Sequence, residues 1–172
     1  MPEEIYKISR AIVIPLAITL FALSLLLVIA YTSPPLPGER LMLSLVFTAS
    51  CYLFLEVFSR QVYVRQDGLK IKKFLREKDL AWEEITHLGC VVIGKKAYAL
   101  LTTTKGFYIL SNNYERFFDL LDGLVKRLGE ERVDGEVRHL IGHPLKNSRP
   151  VRSIWLILIV IIVVSVLRLF VY

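Results

Sequence analysis

The sequence predicts an α+β membrane protein, with three transmembrane helices and a cytoplasmic antiparallel β-barrel or sandwich capped by one C-terminal amphipathic helix. Three observations predict it. The 172 residues are 54% hydrophobic, above the roughly 45–50% of a soluble domain, and mean hydropathy is +0.50. About a third of the chain falls in three nearly charge-free runs. Between the second and third runs, apolar residues alternate with period two and then switch to a 3.6-residue period. Lys and Arg outnumber Asp and Glu by 22 to 16, a net charge of +6, and two cysteines exclude a disulfide scaffold. A secreted mini-protein, a disordered tail, a coiled coil and a large enzyme are excluded on the same grounds.

The first span is 11–31, which carries no charge. At 1.5 Å per residue it covers about 31 Å, the thickness of a hydrocarbon core. Pro15 sits in its first turns, where a missing N–H costs least. The ten residues before it hold Glu3, Glu4, Lys7 and Arg10, a net of zero. A signal peptide needs a basic leader, so this run reads as a retained helix. Thr32 to Arg40, with three prolines and a glycine, turns the chain into the second span, 41–58, so 11–58 reads as a helical hairpin. Glu56 lies close enough to the end of that span to reach headgroup water. The third span is 153–172, with Trp155 and Tyr172 as interfacial aromatics and Arg168 near enough to its end to snorkel.

Orientation follows from the basic residues flanking the spans. Ten lie on one side, between Lys7 and Arg152, against Arg40 and Arg168 on the other. The expected topology is a multi-pass protein of the cell (inner or plasma) membrane. Residues 1–10 and the middle segment are cytoplasmic and the C-terminus is outside.

The middle segment holds most of the charge, with 17 Lys/Arg against 12 Asp/Glu over 59–149. Six short strands are expected in meander order, at 61–66, 69–74, 79–85, 87–94, 97–104 and 107–112. Asp67-Gly68 is the strongest hairpin signal, and 75–78 reads as a polar turn. From Asn113 the period changes. Phe117, Leu120, Leu121, Leu124 and Leu128 form one apolar stripe, with Asn112 or Asn113 as the expected cap and Gly129 at the end. This helix is expected to close an open end or edge of the sheet. Residues 129–152 read as a linker, in which 132–138 could add a short strand or a helical turn.

Six strands followed by one amphipathic helix resemble the bacterial pleckstrin-homology-like (PH-like) domains carried by small integral membrane proteins. Val62-Tyr63-Val64, Asp67-Gly68-Leu69, the 78–85 segment around Trp82, 104–109 and the closing helix carry the resemblance, over roughly 60–128. It implies a seven-stranded fold, a tryptophan packed in the sheet core at Trp82, and a binding module.

Candidate site residues are few. Trp82, Phe117, Leu121 and Leu124 read as structural core. Lys70, Lys72, Lys73, Arg76 and Lys78 form a basic cluster. It reads first as a solvated strand face with the positive-inside bias and second as a contact for anionic lipid or a protein partner. His139 and His143 are four apart, but Gly142 and Pro144 argue against the helix that would make them a metal edge. Cys51 and Cys90 read as small buried hydrophobes. No phosphate loop, nucleophile elbow, zinc motif or redox motif occurs, so no catalytic, cofactor or metal site is expected. No basic-aromatic motif points to nucleic acid. The function expected from this is a non-enzymatic, membrane-anchored interaction module, an accessory or assembly subunit of a membrane complex. The alternative is a sensor of anionic lipid.

Overall fold

The computed structural model describes residues 3–34, 37–94, 96–143 and 149–171. Among these it is α+β, with two antiparallel sheets and five α-helices, three of them long and apolar. The chain divides into two compact units, Met1–Ser9 with Ser59–Asn147, and Arg10–Phe58 with Ser148–Tyr172.

The first unit is the sheet domain. Its strands are β1 (Glu4–Lys7), β2 (Gln61–Val64), β3 (Gly68–Lys73), β4 (Arg76–Ala81), β5 (Ile85–Ile93), β6 (Lys96–Thr103) and β7 (Gly106–Ser111). They form a four-stranded sheet in the order β1-β2-β3-β4 and a three-stranded sheet in the order β5-β6-β7. The first strand was not expected, since residues 1–10 read as a plain cytoplasmic terminus. Four residues are too few to show an alternation, and β1 gains its partner only in three dimensions, where Lys7 lies opposite Gln61 and Glu4 opposite Val64. Tyr6 of β1 is buried.

The β3–β4 boundary also differs from expectation. Residues 75–78 read as a polar turn and 79–85 as a strand. Instead the turn is Phe74-Leu75, β4 starts at Arg76, and Trp82–Glu84 form a 3-10 turn. A two-residue hairpin loop normally announces itself with Gly, Asn or Asp, and this one contains none. β4 begins Arg-Glu-Lys-Asp because it is an edge strand, and edge strands tolerate charge. At the other end of β3, Gly68 is obligatory, because a Cβ there would lie 2.1 Å from the Leu80 carbonyl oxygen.

Helix α3 (Phe117–Leu128) buries Phe117, Leu120, Leu121, Leu124 and Leu128. With Val62, Leu69 and Leu80 from the larger sheet and Leu88, Leu101 and Leu110 from the smaller, it supplies the core. The asparagines expected to cap it lie three and four residues ahead of its N-cap, and their backbone groups tie the loop to other elements. The Asn112 N–H donates to the Ala97 carbonyl at 2.9 Å, and the Asn113 carbonyl accepts from the Ser9 N–H at 2.8 Å. The N-cap is Arg116, in the left-handed region at φ 53°. At the far end, Gly129 at φ 77° returns its N–H to the Val125 carbonyl.

The first half of the expected linker is folded. Glu130–Arg132 form a 3-10 turn, Val133 bridges Leu88 in parallel, and α4 (Gly135–Gly142) buries Val137 and Leu140. Gly142 and Pro144 were expected to prevent a helix through His139, but Gly142 ends that helix instead. Residues 144–148 lie outside the described residues.

The second unit holds α1 (Arg10–Thr32), α2 (Glu39–Ser59) and α5 (Arg149–Val171), each long and apolar enough to cross a membrane. α1 packs along α5 rather than along its expected hairpin partner. It buries Pro15, Leu23, Leu26 and Ala30, while no residue of α2 is fully buried. Two arginines order one end of this unit. Arg40 donates to the carbonyls of Ala30 and Tyr31, acceptors that the last turn of α1 leaves open, and to that of Ser33 just beyond it. Arg168, expected to snorkel, is ion-paired with Glu39. Two residues, Ile8 and Ser9, join β1 to α1, and Arg60 alone joins α2 to β2.

Candidate functional site

The predicted basic cluster is not one patch. In an antiparallel ladder, opposed residues share a face and neighbours alternate. The register sets Lys70 opposite Asp79 and Lys72 opposite Glu77, on the face away from the core. Lys73 opposes Arg76, and Lys78 opposes buried Ile71, so these three basic residues share the inner face at the rim of the core, Lys78 level with its last buried residue and the other two beyond it.

The two groups differ electrostatically. Lys70 and Lys72 both bind Glu77, at 2.7 and 3.1 Å. Hydrogen bonds from Lys70 and then Lys72 hold the Glu77 carboxyl below its ordinary range, and the Glu77 bond raises Lys70. Arg65 likewise binds Glu3 at 2.6 Å and lies 3.9 Å from Asp79. Among the described residues, Lys73, Arg76 and Lys78 make no ion pair and are exposed. They line an open groove of about 490 Å³ with Ile71, Leu75, Tyr108 and the Glu77 that Lys70 and Lys72 engage from the other side.

Trp82 is not in the sheet core. It lies half-buried in the 3-10 turn, its indole N–H donating to the Gln66 carbonyl at 3.0 Å and its ring covered by the Arg127 guanidinium. Arg132 donates to the Ile85 carbonyl at 3.2 Å beside it, so both arginines have structural work. Phe117, Leu121 and Leu124 are buried.

The surface that the sequence reading missed is the outer face of the three-stranded sheet. Register places Tyr98 beside Val91 and Ser111, Leu100 beside Gly89 and Ile109, and Thr102 beside His87 and Phe107. The inner face, with Ala97, Ala99, Leu101 and Leu110, is buried as it should be. An antiparallel sheet with one face on the core usually presents polar residues on the other. Here Phe107 is 77% and Ile109 62% exposed, and register sets Leu100 and Thr102, both uncharged, beside them on the way to Tyr98. The signal was present in 97–110, where both alternating sets are largely apolar. That pattern belongs to a strand covered on both faces.

The remaining polar groups have local partners. His87 Nε2 lies 3.1 Å from Asp134 Oδ2, which ties the 3-10 turn and α4 to β5. Lys105 binds Glu84. Burial and a 2.5 Å bond to Glu4 push the Tyr6 hydroxyl up to about 12. Burial also raises the Cys90 thiol, and both cysteines are free. His139 and His143 stack 4.7 Å apart, and among the described residues no group of three or more His, Cys, Asp or Glu is placed to hold a metal.

Compared with known proteins, the chain matches no family model, no curated relative and no solved structure.

Proposed function

We propose that this chain is a non-enzymatic, membrane-anchored interaction module that serves as an accessory or assembly subunit of a membrane protein complex. Its three spans sit in the cell membrane, with the N-terminus and sheet domain cytoplasmic and the C-terminus outside. The domain is PH-like. Four strands, three strands and a C-terminal helix support that reading, and the N-terminal β1 supplies the seventh strand that the six-strand reading lacked.

The single observation that carries the partner reading is the exposed apolar outer face of β5-β6-β7. Burying a side chain such as Phe107 or Ile109 in a partner gains about 1.5–3 kcal/mol, and an exposed apolar face with a polar surround marks an interaction site. The basic face supports the lipid-sensor reading less well, since Lys70 and Lys72 are ion-paired with Glu77 and share their face with Asp79, two positive charges against two negative.

The test is native purification of the tagged full chain from its source membrane, with and without the double substitution Phe107→Ser and Ile109→Ser. A stoichiometric protein that co-purifies with the parent and is lost from the variant is the expected result. Retention of that partner by a folded variant would sink the assignment of this face.

A further inference from the structure

The β3–β4 hairpin tip breaks three local rules at once. Leu75 is 86% exposed, it is a large apolar residue in a two-residue loop, and its φ is 59°. A non-glycine residue in the left-handed region is strained, and Gly or Asn would relieve it. Leu75 borders the groove with Ile71 and Tyr108, but at 86% exposure it gains little packing among the described residues. Sites where local rules fail together without a compensating internal contact are where function is sought.

Its surroundings indicate what could reward it. Lys73 and Arg76 flank the tip and Lys78 stands one pair further along the same face, all exposed and without ion pairs among the described residues. An apolar point ringed by cations is the chemistry of a surface that docks on an anionic leaflet.

Strand register gives the independent argument. Lys7, Gln61, Lys72 and Glu77 lie in line at one end of the four-stranded sheet. Beyond that line come Ile8-Ser9, which lead to α1, Ser59-Arg60, which arrive from α2, and the Phe74-Leu75 tip. The Asp67 turn and Trp82 lie beyond the opposite end, past Val64, Leu69 and Leu80. The tip thus shares the end of the sheet at which the chain enters its membrane spans.

We propose that the β3–β4 tip docks on the anionic cytoplasmic leaflet, with Leu75 entering the acyl boundary and Lys73, Arg76 and Lys78 holding headgroup phosphates. This rests on the reading of the spans as membrane-embedded and the domain as cytoplasmic, but on none of the residues of the partner-binding face. At about 1 kcal/mol per cation near an anionic surface, removing three weakens docking about a hundredfold. Salt weakens it in the same direction.

The full chain carrying Cys51→Ser and Cys90→Ala is labelled with an environment-sensitive fluorophore at Leu75→Cys or, as the control at the opposite end of the sheet, at Asp67→Cys. It is reconstituted into phosphatidylcholine vesicles with and without phosphatidylglycerol, each containing spin-labelled lipid as quencher. The expected result is quenching at position 75 in anionic vesicles, none at position 67, and loss of quenching with Lys73→Gln, Arg76→Gln and Lys78→Gln combined. Circular dichroism checks that each variant is folded. A label at 75 that is no more quenched than the one at 67 overturns the proposal, and so does quenching that the triple substitution leaves unchanged. The partner-purification result above is independent of either outcome.

Discussion

The Lys70 ammonium lies 2.7 Å from the Glu77 carboxylate, and Lys72 reaches the same carboxylate at 3.1 Å. One acidic residue thus engages two lysines of what reads, in sequence, as a run of five cations, and Asp79 opposite Lys70 balances the second charge. It also divides the β3–β4 hairpin into a neutralised outer face and a cationic inner tip.

Glu77→Gln is expected to lower the stability of the sheet domain slightly, and the loss should shrink as salt is added, because the three groups are solvent-screened. The pH dependence has a definite sign. The lysine bonds depress the Glu77 carboxyl in the folded state, so its contribution is present above the ordinary glutamate range near about 4.3. It is lost as pH falls through the depressed folded value. Denaturation midpoints of parent and variant, taken from neutral pH downward, should converge in acid. A gap that widens in acid would contradict the pairing.

Two glycines should respond in opposite directions to the same substitution. Gly68→Ala drives a methyl into the Leu80 carbonyl, and overpacking of this kind costs about 1–3 kcal/mol. Gly135, at the start of α4, has an ordinary φ and open space, with nothing within 4 Å of where a methyl would stand. Gly135→Ala should therefore stabilise by about 0.4–1 kcal/mol through the unfolded chain. Chemical denaturation of the full chain in detergent measures both. Equal effects would mean that β3 and β4 do not approach closely at Gly68.

The Arg168–Glu39 pair is largely buried, with side-chain exposures of 8% and 17%. Removing one member of a buried pair strands the other charge and typically costs about 3–5 kcal/mol, whereas replacing both with apolar residues is often neutral. Glu39→Leu alone should lower the thermal stability of the purified protein in detergent, and adding Arg168→Leu should restore much of it. If the double variant is no better than the single, the two residues do not form the pair described.

Much of the architecture is legible in residue order because its determinants are local. A hydrocarbon core about 30 Å thick needs about 20 apolar residues, and three such runs stand out. The α3 stripe is legible because five leucine and phenylalanine positions repeat at helical spacing. The strand β1 is not legible, since four residues carry no usable period and its partner follows two long apolar helices later. The β3–β4 turn is displaced because Phe74-Leu75 lacks turn chemistry and Arg76–Asp79 mimics it. Trp82 reads as core because tryptophan usually is, but the chain leaves β4 at Ala81 and puts it on the rim.

Residue order alone therefore sets which segments avoid water, which alternate and which coil, because these follow from the solvation and periodicity of neighbours. Which cations remain without an ion pair, which apolar face stays uncovered and which hairpin shares a sheet end with Lys7 and Gln61 depend on pairing between distant strands. Register decides them, since a shift of one residue would exchange the two faces of every strand. Lys72 meets Glu77, and Phe107 meets Thr102 on an uncovered face, only once the ladders have formed.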